Sequence, residues 1–191
     1  MTTRIATAIS SGPARTAAES LVADVKRELE GASPVLVVAL GSTAQPLGEL
    51  IGHVGDAFKD AVLIGASTAG EFTELGDAKQ SASLFALAGD YRVFTGMGTG
   101  LKASPEKAVE HALQGLPNEV TGYPHRTAIL LLDPLAGNGE EATLIASSLL
   151  GADVRLAGGA AGDDLRMEKT FVAAGRRAET DAIVLAMVFS K

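Results

Sequence analysis

Two unbroken apolar runs, Val35-Leu-Val-Val-Ala-Leu40 and Ala128-Ile-Leu-Leu-Leu132, constrain the fold of this chain more than any other feature. A strand with one wet face alternates apolar and polar residues, whereas a continuous run needs cover on both faces. Each run is therefore read as a central strand. Each is followed by a segment of helical periodicity. Residues 46–58 align Leu47, Leu50, Ile51, Val54 and Phe58 behind Pro46. Residues 139–150 run from Asn138 to Gly151, with Glu140 and Glu141 in the first turn, where the helix dipole favours anions.

Two further helices are expected. Residues 13–30 place Ala14, Ala17, Ala18, Leu21, Val22, Val25 and Leu29 on one face and stop at Gly31; residues 105–114 run from Ser104-Pro105 to Gly115. Strands are expected at 5–10, 35–40, 61–65, 81–88, 91–97, 127–133, 154–157, 169–174 and 181–189. Gly89-Asp90 separates two strand runs by two residues, a hairpin signal. The order β-α-β-α-β, then hairpins, then β-α-β and another hairpin predicts an α/β fold with mixed β-sheet layers flanked by helices.

A shift of 92 residues lays Pro34–Leu40 on Arg126–Leu132 and, without a gap, Ile64-Gly-Ala-Ser-Thr-Ala-Gly-Glu71 on Leu156-Ala-Gly-Gly-Ala-Ala-Gly-Asp163. Two readings stand. Ala- and Gly-rich strand–helix–strand units resemble one another by composition, or the single domain of residues 1–191 holds two pseudo-symmetric halves, about 34–90 and 126–190.

Composition excludes several function classes. A formal charge of −7 repels phosphate backbones, and no segment gathers enough Lys and Arg to offset it. Six Phe, two Tyr and no Trp leave little for stacking on single-stranded nucleic acid. Nucleic acid and membrane are therefore not expected as partners. No stretch approaches the ~18 apolar residues of a membrane helix, and the apolar run near the N-terminus is too short for a secretory signal. The chain has no cysteine, which removes thiolate nucleophiles, disulfides and cysteine-based metal sites and fits a cytoplasmic location.

The richest segment for chemistry is Leu156-Ala-Gly-Gly-Ala-Ala-Gly-Asp-Asp-Leu-Arg166. Small residues after a strand expose backbone N–H groups that can hold a carboxylate or phosphate. Gly158, Gly159 and Gly162 supply that turn, Asp163 and Asp164 could meet an ammonium, and Arg166 could clamp an acid group. The related turn, Gly65–Glu71, adds Ser67, Thr68 and Glu71. An anion site beside a cation site suits an amino acid. The competing reading is that these residues simply permit tight turns and close strand approach.

Enzyme signatures are weaker. Ser67 sits in G-x-S-x-x-G, one residue longer than a nucleophile elbow, and the three histidines, His53, His111 and His125, lie in no motif. Gly96-Met-Gly-Thr-Gly100 and the turn at 158–162 both fail the dinucleotide fingerprint. No catalytic residue and no metal site are expected; His53 is a weak candidate for an axial haem ligand, and a serine hydrolase built on Ser67 is the remaining alternative.

At Ile64–Phe72 and Leu156–Arg166 the chain resembles the N-terminal domain of the FIST family. Leu130-Leu-Leu-Asp-Pro-Leu135, Lys169-Thr-Phe-Val172 and Asp181–Val188 agree with it, and the resemblance spans roughly residues 4–189. It implies a sensory input domain of signal transduction that binds a small molecule such as an amino acid. The partners it implies are the family's C-terminal domain, absent from this sequence, or a histidine kinase or cyclase. No cofactor is expected, although some members resemble haem-based nitric oxide sensors, which leaves haem as an alternative.

Overall fold

A computed structural model describes residues 2–74 and 76–191; Met1 and Leu75 lie outside the described residues. The first half of the chain gives β1 (Arg4–Ser11), α1 (Ala14–Glu28), β2 (Leu36–Ser42), α2 (Leu47–Ala57), β3 (Val62–Thr68), the short pair β4 (Glu71–Thr73) and β5 (Gly76–Ala78), and β6 (Ser81–Ala88). The second gives β7 (Arg92–Thr99), α3 (Pro105–Leu113), β8 (His125–Leu132), a 3-10 turn (Pro134–Ala136), α4 (Gly139–Leu150), β9 (Val154–Ala160), the short pair β10 (Val172–Ala174) and β11 (Arg177–Glu179), and β12 (Ala182–Ser190). The fold is α/β with mixed sheets, as the patterning predicts.

One sheet runs β1-β6-β2-β3-β10-β11 and the other β7-β12-β8-β9, while β4 and β5 pair with each other. Parallel ladders join β2 to β3 and β8 to β9; the rest are antiparallel. The sheets stack face to face, with α1 and α2 outside the first and α3 and α4 outside the second. This explains the two continuous apolar runs. Val37 and Ala39 face the helices over the first sheet while Leu36 faces the other sheet. Leu130 and Leu132 face α3 and α4 while Leu131 enters the layer between the sheets.

The helices begin and end where local chemistry predicts. The Ser104 hydroxyl accepts the Lys107 N–H at 3.4 Å. Gly31, Gly115 and Gly151 follow their helices with φ of +84°, +80° and +84°, a conformation that costs other residues strain. Asn138 precedes α4 without capping it by its side chain, which instead donates to the carbonyls of Leu101 and Lys102 at 3.2 and 3.0 Å.

The hairpin expected at Gly89-Asp90 does not form. β6 is flanked on both edges by β1 and β2, so β7 has no edge of it to pair with and joins β12 in the other sheet. The Gly89-Asp90 link is a crossover between layers. It is tied down by Asp90, which accepts from the Tyr123 hydroxyl and pairs with Lys191 at 2.6 Å. Those two bonds, the lysine's foremost, hold the Asp90 carboxyl down at about 2.

The second half of the chain repeats the element order of the first: strand, helix, strand, helix, strand, short pair, strand. Its register differs from the gapless shift of 92. A Cβ on Gly65 would strike the Ala39 carbonyl oxygen, and one on Gly158 would strike that of Leu130. Gly65 and Gly158 are thus the matching positions, whereas the gapless shift sets Gly65 on Ala157. An extra residue on each side of α4 keeps the helices in step and moves each flanking strand by one.

Glycines also bring α3 onto its sheet. A Cβ at Gly96 or Gly98 would land on the carbonyl oxygens of Ala112 and Ala108, whereas one at Gly52 of α2 meets nothing within 4 Å. Gly98→Ala should therefore cost about 1–3 kcal/mol, since a backbone oxygen cannot yield as a side chain can. Gly52→Ala should add up to about 1 kcal/mol from helix propensity. Denaturant midpoints test this; equal effects at the two sites would contradict it.

Candidate functional site

Parallel strands leave a crevice at their carboxyl ends, the usual ligand position in open α/β sheets. The first crevice lies where β2 ends at Ser42 and β3 at Thr68, and the second half's glycine turn inserts beside it. The Gly162 N–H donates to the Ser67 carbonyl at 2.7 Å and that of Asp164 to the Thr68 carbonyl at 3.1 Å. The Ser67 N–H donates to the Phe171 carbonyl at 2.9 Å, and the Ser67 hydroxyl accepts the Phe171 N–H at 2.8 Å. The two turns thus meet.

The acids at this junction are engaged within the chain. Asp163 is buried, and its carboxylate accepts the N–H groups of Met167, Glu168 and Lys169 at 2.9, 2.6 and 3.0 Å. Burial pushes this carboxyl up, but the backbone donors outweigh burial and hold it below the usual carboxylate value. It braces a loop in which Asp164, Leu165 and Met167 have φ of +55°, +64° and +58°. Asp164 accepts from the Ser42 and Thr43 hydroxyls at 2.8 and 2.7 Å. Burial raises its carboxyl, and these hydroxyls with the nearby Arg166 charge bring it below normal. Glu71 is buried and accepts from the hydroxyls of Thr68 and, at 2.7 Å, Ser81.

Of the residues singled out in the sequence, Ser67, Thr68, Glu71, Gly162, Asp163 and Asp164 converge at this junction. Arg166 is exposed at its rim. Gly158 and Gly159 lie apart, exposed on β9 and lining a different groove. Asp163 serves as a loop brace, since its oxygens are taken by backbone N–H groups.

Beside the junction is a chamber of about 210 Å3, walled by Pro46, Leu47, Phe171 and Ala178, with Thr43, Gln45 and Ser67 as its polar lining. Gln45 is only 2% exposed. Its amide nitrogen donates to the Gln80 carbonyl at 3.5 Å, and its amide oxygen is the one buried side-chain polar atom among the described residues without a partner. Thr43 and Gln45 were not flagged by motif. The signal available was Gly41-Ser-Thr-Ala-Gln-Pro46, a polar stretch between an apolar strand and a proline-started helix.

The second crevice, between β9 and α4, is an open groove of about 610 Å3 bounded by Leu130, Leu132, Pro134, Leu144, Leu156 and Gly158. None of the three histidines lines either cavity. His53 lies on α2 with its Nε2 3.8 Å from Glu49, His111 is on α3, and His125 opens β8. These positions do not fit an axial haem ligand in either cavity, and no cluster of metal-ligating side chains occurs among the described residues. The Ser67 hydroxyl is committed to the Phe171 main chain, where a nucleophile would need a base.

The depressed Asp163 carboxyl fixes a sign. A group whose pKa is lowered on folding contributes stability above its unfolded value and loses it as pH falls through the folded one. Asp163→Asn should lower Tm at neutral pH, and its gap from the native protein should narrow steadily below about pH 4. Thermal melts across that range test this; a gap independent of pH would contradict the bracing role.

Comparison with known proteins agrees with the sequence signature. No curated protein matches the chain. Among solved structures, a cyanuric acid hydrolase from A. caulinodans is similar at 11% identity, covering 99% of this chain and 71% of that one, with a TM-score of 0.42. That level of likeness carries no argument about activity. No helix among the described residues is long and apolar enough to cross a membrane. The FIST N domain model matches residues 35–191, and the chain belongs to that family of sensory domains in signal transduction.

Proposed function

We propose that this domain is a non-catalytic, cytoplasmic sensor that binds a small molecule bearing an amino group, such as an amino acid, in the chamber between α2 and the β10–β11 pair. The observation that carries this reading is the orphaned amide oxygen of Gln45. Leaving a buried acceptor unpaired costs about 1–3 kcal/mol, and a ligand N–H would satisfy it. Asp164, 2.7 Å from the Thr43 hydroxyl, adds negative charge at the chamber's edge, while Pro46, Leu47 and Phe171 supply apolar walls. Few polar groups in an apolar cleft fix a ligand's orientation. At about 210 Å3 the chamber suits a small metabolite and is tight for a nucleotide.

The signalling half of the proposal rests on the family. A sensor of this kind would report to the family's C-terminal domain or to a histidine kinase or cyclase. Binding without catalysis is favoured because the junction acids are engaged within the fold and Ser67 has no base in contact.

A thermal-shift series over the amino acids and small amines tests the proposal. A ligand present at about 100 times its Kd should add about 2.7 kcal/mol of stability. Gln45→Met keeps the side chain's length and removes the acceptor. It should abolish that shift and, net of the long bond to the Gln80 carbonyl that is also lost, raise the stability of the unliganded protein by up to about 2 kcal/mol. Ser67→Ala should leave the protein unlabelled by a fluorophosphonate, as should the native chain. No shift with any compound, or a shift that Gln45→Met leaves intact, would overturn the assignment.

A further inference from the structure

The two short strand pairs occupy the same place in their halves, between the last parallel strand and the closing strand, yet they do different things. The β10–β11 pair crosses to the first sheet and covers the outer edge of β3, with Val172, Ala173 and Ala174 opposite Ala66, Gly65 and Ile64. Main-chain bonds from Ser67 N–H to the Phe171 carbonyl (2.9 Å) and from Gly175 N–H to the Leu63 carbonyl (2.7 Å) frame that ladder. Among the described residues the β4–β5 pair ladders to no other strand, and β9 is the edge of its sheet. Each half therefore has a covering pair and an edge to cover, and one of each is left over.

The leftover parts match in shape. Ala173, central in β10, faces α2 within the helix-side core of the first sheet. Its counterpart in β4 is Phe72, which is 81% exposed. The counterpart of the surface under Ala173 is the groove between β9 and α4. There a hollow of about 610 Å3, floored by Leu130, Leu132 and Leu156 and flanked by Leu144, stands open. Leu144 is itself 65% exposed. A small side chain covers the closed crevice, and a large one is free where the crevice is wide.

We propose that two copies of this chain associate head to tail, the β4–β5 pair of one adding to the β9 edge of the next with Phe72 seated in the α4 groove. Edge strands take added strands through their unpaired main-chain groups. The contact joins two different patches, so it leaves one pair and one edge free at the ends and continues into a ring or an open chain. Asp77 of the incoming β5 falls opposite Glu140, because in the first crevice the matching Ala178 has its Cβ 4.0 Å from where a Cβ on Gly48 would lie. Like charges there make the association weak at neutral pH and strengthen it for Asp77→Lys.

Sedimentation velocity of the whole chain over a wide concentration range tests this, with Phe72→Glu and Leu144→Glu as exposed-site variants checked for an unchanged Tm. The native chain should gain mass with concentration, and each variant alone should bind itself at least ten-fold more weakly. Mixed together they should form a one-to-one dimer that grows no further, because one retains its groove and the other its strand pair. Asp77→Lys should associate more tightly. A native chain that stays monomeric at every concentration would overturn the proposal. So would variants that leave its association unchanged, or a mixture no heavier than its parts.

Discussion

The ladder that sets Val172–Ala174 against Ile64–Ala66 joins the halves through main chain, and the position of everything at the first crevice follows from it. The layer between the sheets is built of Ala, Val, Ile and Leu, whose packing is non-directional and tolerates small slips. A ladder does not tolerate them, because a one-residue slip turns every side chain to the other face. With the register pinned, Phe171 and Ala178 close the chamber over Gln45, and the Ser67 hydroxyl meets the Phe171 N–H. Gly162 must remain small at this seam, since a Cβ there would come within 2.9 Å of the Ala69 nitrogen.

The long elements were legible because their signals are local. Continuous apolar runs, helical periodicity, Ser104-Pro105 and glycine stops together place four helices and the main strands within a few residues. What the sequence withheld was partnership. Gly89-Asp90 has hairpin chemistry, but whether adjacent strands pair depends on which edges other strands have already taken. The three-residue strands β4, β5 and β11 carry too little pattern to announce themselves, and β10 occupies only the end of the run expected there. The gapless repeat alignment failed by one residue on each strand because identity between Ala and Gly is cheap, whereas the carbonyl contacts that mark Gly65 and Gly158 are visible only in three dimensions.

The candidate site was legible as a place more than as a mechanism. The two glycine turns do converge, and small residues beside paired acids do mark the junction. An acid in a turn can face solvent, a ligand or its own backbone, and the choice depends on loop geometry. Asp163 faces backbone because Asp164, Leu165 and Met167 adopt positive φ, which curls the following N–H groups onto its carboxylate. Each such residue stores on the order of 1 kcal/mol of strain. A buried carboxylate with three donors is the kind of over-determination that keeps such a loop in place. Gln45 was invisible for the opposite reason: its significance is a missing partner, which no spacing encodes.

The contrast between the two crevices lies in what covers them. In α2, Cβ atoms on Gly48 and Gly55 would sit in ordinary contact with the cover, 4.0 Å from Ala178 and 3.7 Å from Arg176. The corresponding positions of α4, counted from the residue before each helix, are Glu140 and Ser147, and the groove beside them is uncovered. A chamber closed by its own chain can hold a small ligand but can exchange it only if the cover lifts. The cover is anchored at β10, where Val172 and Ala173 are fully buried, and its far end carries the Arg176–Asp56 ion pair, both partners of which are more than half exposed. Exposed pairs contribute little, so the cover opens more easily from its Arg176–Arg177 end than at the buried β10. Lifting it would loosen the seam between the halves, and a ligand that holds it shut would tighten the same seam.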